Sequence, residues 1–270
     1  MTDEPFRLSR FWQSSQFKAE AAALLLVVVF FALFFWPATL KGLLLIFSDS
    51  LVYSYPLRVV AFDAIRHGSL PLWTPTVLSG YPLLSMAQLG IAYPLTWFYL
   101  LLPGYWAEQV YVLAPYLLAP AFTYAYLRQI ECSRAASLLA GLSFTYGGMM
   151  AGGLAHNGMF TNAVMWLPLM LIAIERARTG RVELCLLGVA AAYSMSVLTG
   201  IGQAFLYTGL IALAYAAFAS LALANAKRWN PLLVCVGGML LATGVAAFQI
   251  LETLRAQRRS IRSELTYEIF

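Results

Sequence analysis

Apolar residues run through this chain in long stretches, with the charges gathered between them. Between Glu20 and Lys41 lie 20 residues without a formal charge. The later gaps hold 41 residues (Arg66 to Glu108), 19 (Glu108 to Arg128), 40 (Arg134 to Glu175), 43 (Glu183 to Lys227) and 23 (Arg228 to Glu252). A bilayer-spanning helix needs about 20 apolar residues, so the pattern predicts an all-α polytopic membrane protein. The first span covers Ala21 to Trp36 and the second runs from about Glu108 to Leu127. The third and fourth share the 40-residue gap, divided at Ala155-His156-Asn157-Gly158. The fifth and sixth share the 43-residue gap, divided between Leu198 and Gln203, and a seventh runs from about Pro231 to Leu251. Trp36, Trp106, Trp166 and Trp229 lie at or near predicted span ends, where amphipathic rings prefer to sit.

Residues 37–105 break the pattern. They hold seven of the chain's twelve prolines, which excludes one continuous helix. Leu89 to Leu102 is apolar but short and is interrupted by Pro94, so it is expected as an interfacial or re-entrant piece of one large loop. Leu57 to Arg66 is expected as an amphipathic helix on the membrane surface. Residues 1–19 form a head, and residues 252–270 begin a second segment on the face that carries the loop.

Charge gives the spans a direction. Arg7, Arg10, Lys18, Arg128, Arg134, Arg176, Arg178, Arg181, Lys227 and Arg228 fall on one side of a seven-span chain, against Lys41, Arg58 and Arg66 on the other before the tail. The positive-inside rule therefore predicts a cytoplasmic N-terminus and an outward 37–105 loop. The head resembles a signal-peptide start, but no small-x-small site follows at Pro37 to Lys41, and an uncleaved anchor is expected. Arg255, Arg258, Arg259 and Arg262 then lie outside, against the rule.

Composition adds one exclusion. Hydrophobic residues make up 61% of the 270 and charged residues 11%, with a mean hydropathy of +0.74, which no ordinary soluble domain shows. The net charge of +5 is accounted for by cytoplasmic loops and asks for no nucleic acid. Cys132, Cys185 and Cys235 have neither CxxC nor metal spacing and are expected to pack.

Chemistry-bearing residues are few. Asp49, in Phe47-Ser48-Asp49-Ser50 beyond the first span, is either a general base raised by partial desolvation or a helix N-cap. Asp63 is either functional or the (i, i+3) partner of Arg66. His156 stands alone between two apolar stretches, without the second histidine a zinc site needs. The basic run Arg255, Arg258, Arg259, Arg262 suits phosphate oxygens or anionic headgroups. Gly147-Gly148 with Gly152-Gly153, and Gly237-Gly238, read as helix-packing devices. Phosphate-loop, HExxH and GxSxG motifs are absent from the sequence. No cofactor is expected, and a divalent cation has no support.

The run Gly68-Ser-Leu-Pro71-Leu-Trp73-Thr-Pro75, followed by Gly80-Tyr81-Pro82, Ala87-Gln88 and Tyr93-Pro94, resembles the outer loop of the bacterial YfhO-like membrane proteins, grouped with the GT-C glycosyltransferases. Asp49 matches the acid that precedes this loop in the family, and Thr74 stands where an asparagine is usual. Ala155-His156 and Trp166-Leu-Pro168-Leu resemble a Gly-His tip and a W-L-P-L helix. Gln249 to Tyr267 resembles a Q-x-x-P-x-x-E…S-x-R segment, with Glu252 in place of the proline and Arg255 in place of the glutamate. Family members are usually longer, so the resemblance implies an N-terminal portion. It also implies a multi-pass protein of the bacterial inner membrane that moves a sugar from a polyprenyl-phosphate carrier to a cell-envelope acceptor. In that scheme Asp49 is the general base that removes the acceptor hydroxyl proton, with Asp63 the second catalytic candidate. Arg66, Arg258, Arg259 and Arg262 receive the carrier phosphate, and Trp73, Tyr81, Tyr93 and His156 stack on sugars or pack the loop. The partners are then membrane lipid, the lipid-linked donor and the acceptor. A transporter or flippase, or a non-catalytic assembly protein, are the competing classes; the near absence of charge within the spans weighs against ion-coupled transport.

Overall fold

A computed structural model describes residues 15–46, 49–77, 79–154, 158–222 and 227–260. Among these all regular structure is helical, apart from a single antiparallel bridge between Thr74 and Tyr81. Helix α1 (Ser15–Phe34) is 20 residues long, about 30 Å at 1.5 Å per residue. It is apolar all round and mostly unburied, with Leu25 62% and Leu33 65% exposed. That surface is stable against lipid and not against water. The chain restarts at Pro37 in α2 (Trp36–Lys41), which Gly42 ends in the left-handed region at φ 67°.

A π-helical turn (Ser50–Ser54) runs directly into α3 (Tyr55–Arg66). After Arg66 comes a proline-rich stretch with two 3-10 turns, Ala87–Leu89 and Pro94–Trp97, and the short α4 (Phe98–Leu101). The long α5 (Gly104–Gln129) follows, with Pro115 and Pro120 inside it. The next helices are α6 (Arg134–Tyr146), α7 (Gly148–Leu154), α8 (Met159–Val164) and α9 (Leu167–Arg176). They are succeeded by α10 (Val182–Leu198), α11 (Gly202–Leu221), α12 (Asn230–Val245) and α13 (Ala247–Arg258).

Four runs are long and apolar enough to cross a membrane: Gln16–Phe34, Gly104–Gln129, Met159–Arg176 and Gly202–Leu221. Helices α12 and α13 make a fifth if the pair is one span, but they meet at an angle of 65°. The sequence predicts a straight helix to Leu251 there. The chain turns at Ala246, and the turn brings polar side chains of α13 to partners in the 82–88 loop, described below. Helix α10 is apolar but 17 residues long, and α6 is 13. The predicted break between Leu198 and Gln203 is present between α10 and α11. The predicted tip at 155–157 lies outside the described residues.

Small residues set the packing of the second half. A Cβ on Gly238 of α12 would stand 2.7 Å from the Val189 Cβ of α10, and one on Gly141 of α6 would stand 2.8 Å from the Pro120 carbonyl of α5. Gly237 likewise meets Leu186. Gly148 and Gly152 have open space where a Cβ would go, so the expected packing role holds for the Gly237-Gly238 pair and not for these two.

The helix ends sort into two groups. Glu20 near the start of α1 pairs with Arg128 (3.1 Å) at the end of α5 and Arg134 (2.9 Å) at the start of α6. Arg176 at the end of α9 donates to Gln129, and Tyr215 late in α11 donates to Glu175. At the opposite end, Gln109 early in α5 holds Leu43 and Leu45 after α2, and the turn at Gly200 touches Ala87.

Candidate functional site

The loop end is built around a charge pair. Helix α3 turns Leu57, Arg58, Ala61 and Phe62 inward, so Arg58 sits on its apolar face. Arg58 and Glu108 of α5 are both fully buried, with Nη1 2.9 Å from Oε2. Ser50 (2.5 Å) and Tyr99 (2.6 Å) also donate to the Glu108 carboxylate, and the guanidinium lies 3.9 Å from the centre of the Tyr111 ring. A buried pair holds only if its remaining donors and acceptors are met, and here they are. Arg58 Nε donates to the Leu89 carbonyl at 3.0 Å. The pair thereby fastens the Ala87–Leu89 turn to α3 and α5.

Ala87 and Gln88 of that turn line a cleft of about 770 Å3. Tyr53 and Tyr81 stand on one side with their hydroxyls 2.8 Å apart. Burial, with that hydrogen bond, holds the Tyr53 phenol well above its ordinary range, so it stays a neutral donor. The floor is the loop from Pro82 to Gln88 together with Gly200 and Gly202. The far wall is α13, through Thr253, Ala256, Gln257 and Ser260. Two side chains fix that wall. Gln249 Nε2 donates to the Leu84 carbonyl at 2.8 Å, and the Thr253 hydroxyl to the Ser85 carbonyl at 3.0 Å. Gly200, at φ +79°, is the closest approach: a Cβ there would lie 1.8 Å from the Ala87 oxygen. The cleft thus joins residues from four separate stretches of the chain, with hydroxyls, amides and tyrosine rings among them.

One expected site residue, Tyr81, lines the cleft, and others are close in sequence to residues that do. Arg258 ends α13 and Arg259 caps it, next to the lining residues Gln257 and Ser260. Asp49 is exposed and is the N-cap position of the turn that carries Tyr53, one helical turn away. Its side chain makes no capping bond, so the capping alternative is not realised among the described residues. Trp73 is 59% exposed, with its ring over the backbone of Gly80.

Others are placed elsewhere. Asp63 and Arg66 sit at the far end of α3 and do not pair as expected. Asp63 faces His67 at 3.7 Å, both exposed, while Arg66 donates to the Tyr99 and Leu102 carbonyls, at 3.1 Å for Leu102. Those carbonyls end α4 and have no helical donors. Tyr93 is fully buried and takes a hydrogen bond from Trp166 at 3.2 Å; of the roles expected for it, packing is the one its burial allows. His156 and Arg262 lie outside the described residues. Cys185 and Cys235 are buried in the helical core as expected. Among the described residues no three His, Cys, Asp or Glu side chains are grouped as metal ligands.

The Arg58–Glu108 pair and the Gln249–Thr253 contacts were not anticipated from the sequence. A signal existed for the first: Arg58 falls with Ala61, Phe62 and Ile65 at the helical spacing of the apolar face, and a charge there needs a buried partner. No protein-family model, curated protein or solved structure matches the chain.

Proposed function

We propose that this chain is a membrane glycosyltransferase of the GT-C kind, YfhO-like, that moves a sugar from a polyprenyl-phosphate carrier to an acceptor on the outer face of a bacterial inner membrane. The reading takes the chain across the bilayer seven times, α12 with α13 making the last crossing, with its N-terminus in the cytoplasm. The cleft between Tyr53, Tyr81, the Pro82–Gln88 loop and α13 is the observation that carries it. It is large enough for one or two sugar rings, mixes hydroxyl and amide groups with apolar ones on its walls, and has basic residues at the end of the helix that forms one side. The grouping of Glu20, Arg128, Arg134, Arg176 and Tyr215 at one end supports the alternating direction of the spans.

In the proposed reaction the Asp49 carboxylate takes the proton of the acceptor hydroxyl. The freed oxygen attacks the anomeric carbon, and the bond from that carbon to the carrier phosphate breaks with inversion. Arg258 and Arg259 neutralise the phosphate that leaves, since guanidinium forks pair with phosphate oxygens. Trp73 and Tyr81 offer ring faces to the sugar. Asp49→Asn keeps size and polarity but removes the proton acceptor. In membranes supplied with a polyprenyl-phosphate sugar, transfer is expected to fall about 10²- to 10⁴-fold. Near-normal transfer by Asp49→Asn with an inactive Asp63→Asn would move the base to Asp63. Activity in both would end the enzymatic reading of this loop.

A further inference from the structure

At the end opposite the cleft, two hollows share a wall. An apolar groove of about 540 Å3 runs between α9 and α10, lined by Trp166, Leu169, Ile172, Leu184 and Met195. The small residues Gly188, Ala191 and Ala192 of α10 form its inner side, with Gly188 in close contact with Ala173 of α9, where a Cβ would stand 3.2 Å from the Ala173 Cβ. Ile172, Arg176 and Thr179 also border a second hollow of about 880 Å3, which takes in Arg128, Gln129 and Tyr215. A slot for an alkyl chain therefore borders a polar chamber lined by Arg128, Arg176 and Arg178 with Glu131 and Glu175.

The charges at the junction do not balance. Glu20 pairs with Arg128 and Arg134, and Glu175 with Arg178. Arg176 donates only to the neutral Gln129 amide oxygen, at 3.0 Å. Arg181 lines the apolar groove; its carbonyl accepts from the Cys185 N–H, and its guanidinium makes no hydrogen bond or ion pair with the described residues. Glu183, in the first turn of α10, pairs with neither.

We propose that this groove binds one anionic glycerophospholipid of the leaflet at this end. Its acyl chain lies between α9 and α10, and its phosphodiester sits between the guanidinium groups of Arg176 and Arg181. The inference rests on the membrane-spanning reading of Met159–Arg176 but not on sugar transfer. Two uncompensated guanidinium groups beside an apolar slot match a ligand with one phosphate and a long chain, and anionic headgroups are enriched on cytoplasmic surfaces.

The test is native mass spectrometry of the full chain released from micelles containing phosphatidylglycerol or phosphatidylcholine. Wild type is expected to retain phosphatidylglycerol in preference to phosphatidylcholine. The double variant Arg176→Gln/Arg181→Gln is expected to lose roughly tenfold or more of that binding. Ala191→Phe, which fills the slot and keeps both charges, is expected to lose retention of either lipid. Unchanged unfolding midpoints keep the two variants interpretable. Equal retention of the two lipids by wild type, or equal retention by all three proteins, would overturn the proposal. Loss of the chain from membranes on carbonate extraction would remove the spanning reading as well; tight membrane association with no lipid preference would remove this inference alone.

Discussion

A buried arginine and glutamate decide the shape of the loop end one side chain at a time. Removing Glu108 leaves the Arg58 guanidinium, fully buried, without its counter-charge. Breaking a buried pair in this way costs about 3–5 kcal/mol. Glu108→Ala is therefore expected to lower the unfolding midpoint in detergent strongly. The double variant Arg58→Met/Glu108→Leu, which removes both charges, should recover most of the loss. A double variant as unstable as the single one would mean that the hydrogen bonds to Leu89, Ser50 and Tyr99, and not the charges, carry the effect. Gly200 is the second such position. Its φ of +79° and the 1.8 Å approach of a Cβ to the Ala87 oxygen leave no room for alanine. A strained backbone conformation costs about 1–3 kcal/mol, and the clash adds to it, so Gly200→Ala should push the 82–88 loop away. Faster protease cleavage within that loop in intact membranes is the measurement, and unchanged cleavage would contradict the close approach.

Whole helices meet through few side chains, and two contacts can be tested. The dock of α13 depends on Gln249 and Thr253, which meet the Leu84 and Ser85 carbonyls. Gln249→Leu with Thr253→Val removes both donors and leaves two carbonyls short of partners, at about 1–3 kcal/mol for each buried group left unmet. The 65° bend at Ala246 should then relax. A spin-label pair on α12 and α13 would report a broader distance distribution; an unaltered one would show that the bend is set by the helices themselves. Deeper in the bundle, Gly238→Leu must force α12 off Val189 of α10. Overpacking of this kind typically costs about 1–3 kcal/mol, and stability in detergent reads it out. These helices present little amphipathic pattern, so their neighbours are chosen by where glycines and alanines permit approach.

At the scale of the molecule the testable statement is direction. Ser79 and Thr179 are both exposed, one in the loop and one beside the arginine-rich turns. In the proposed orientation an impermeant thiol reagent added outside should label Ser79→Cys and leave Thr179→Cys untouched. The reverse pattern would invert every span. Legible in the sequence were the helical class, the apolar runs, the break between Leu198 and Gln203 and the amphipathic helix α3. These follow from local period and from the cost of burying charge, which any short window of residues carries. Which helix touches which was not legible there. Beyond Glu20 the residues of helix α1 are apolar on every face, so its long lipid-length stretch carries no sign of which helix it packs against. Arg58 and Glu108 are 50 residues apart, and Gln249 reaches back 165 residues to Leu84. Such pairings depend on the rotation of each helix about its axis and on the bend at Ala246. Only close packing sets those quantities, which is why the cleft, the buried ion pair and the α9–α10 groove belong to the tertiary structure alone.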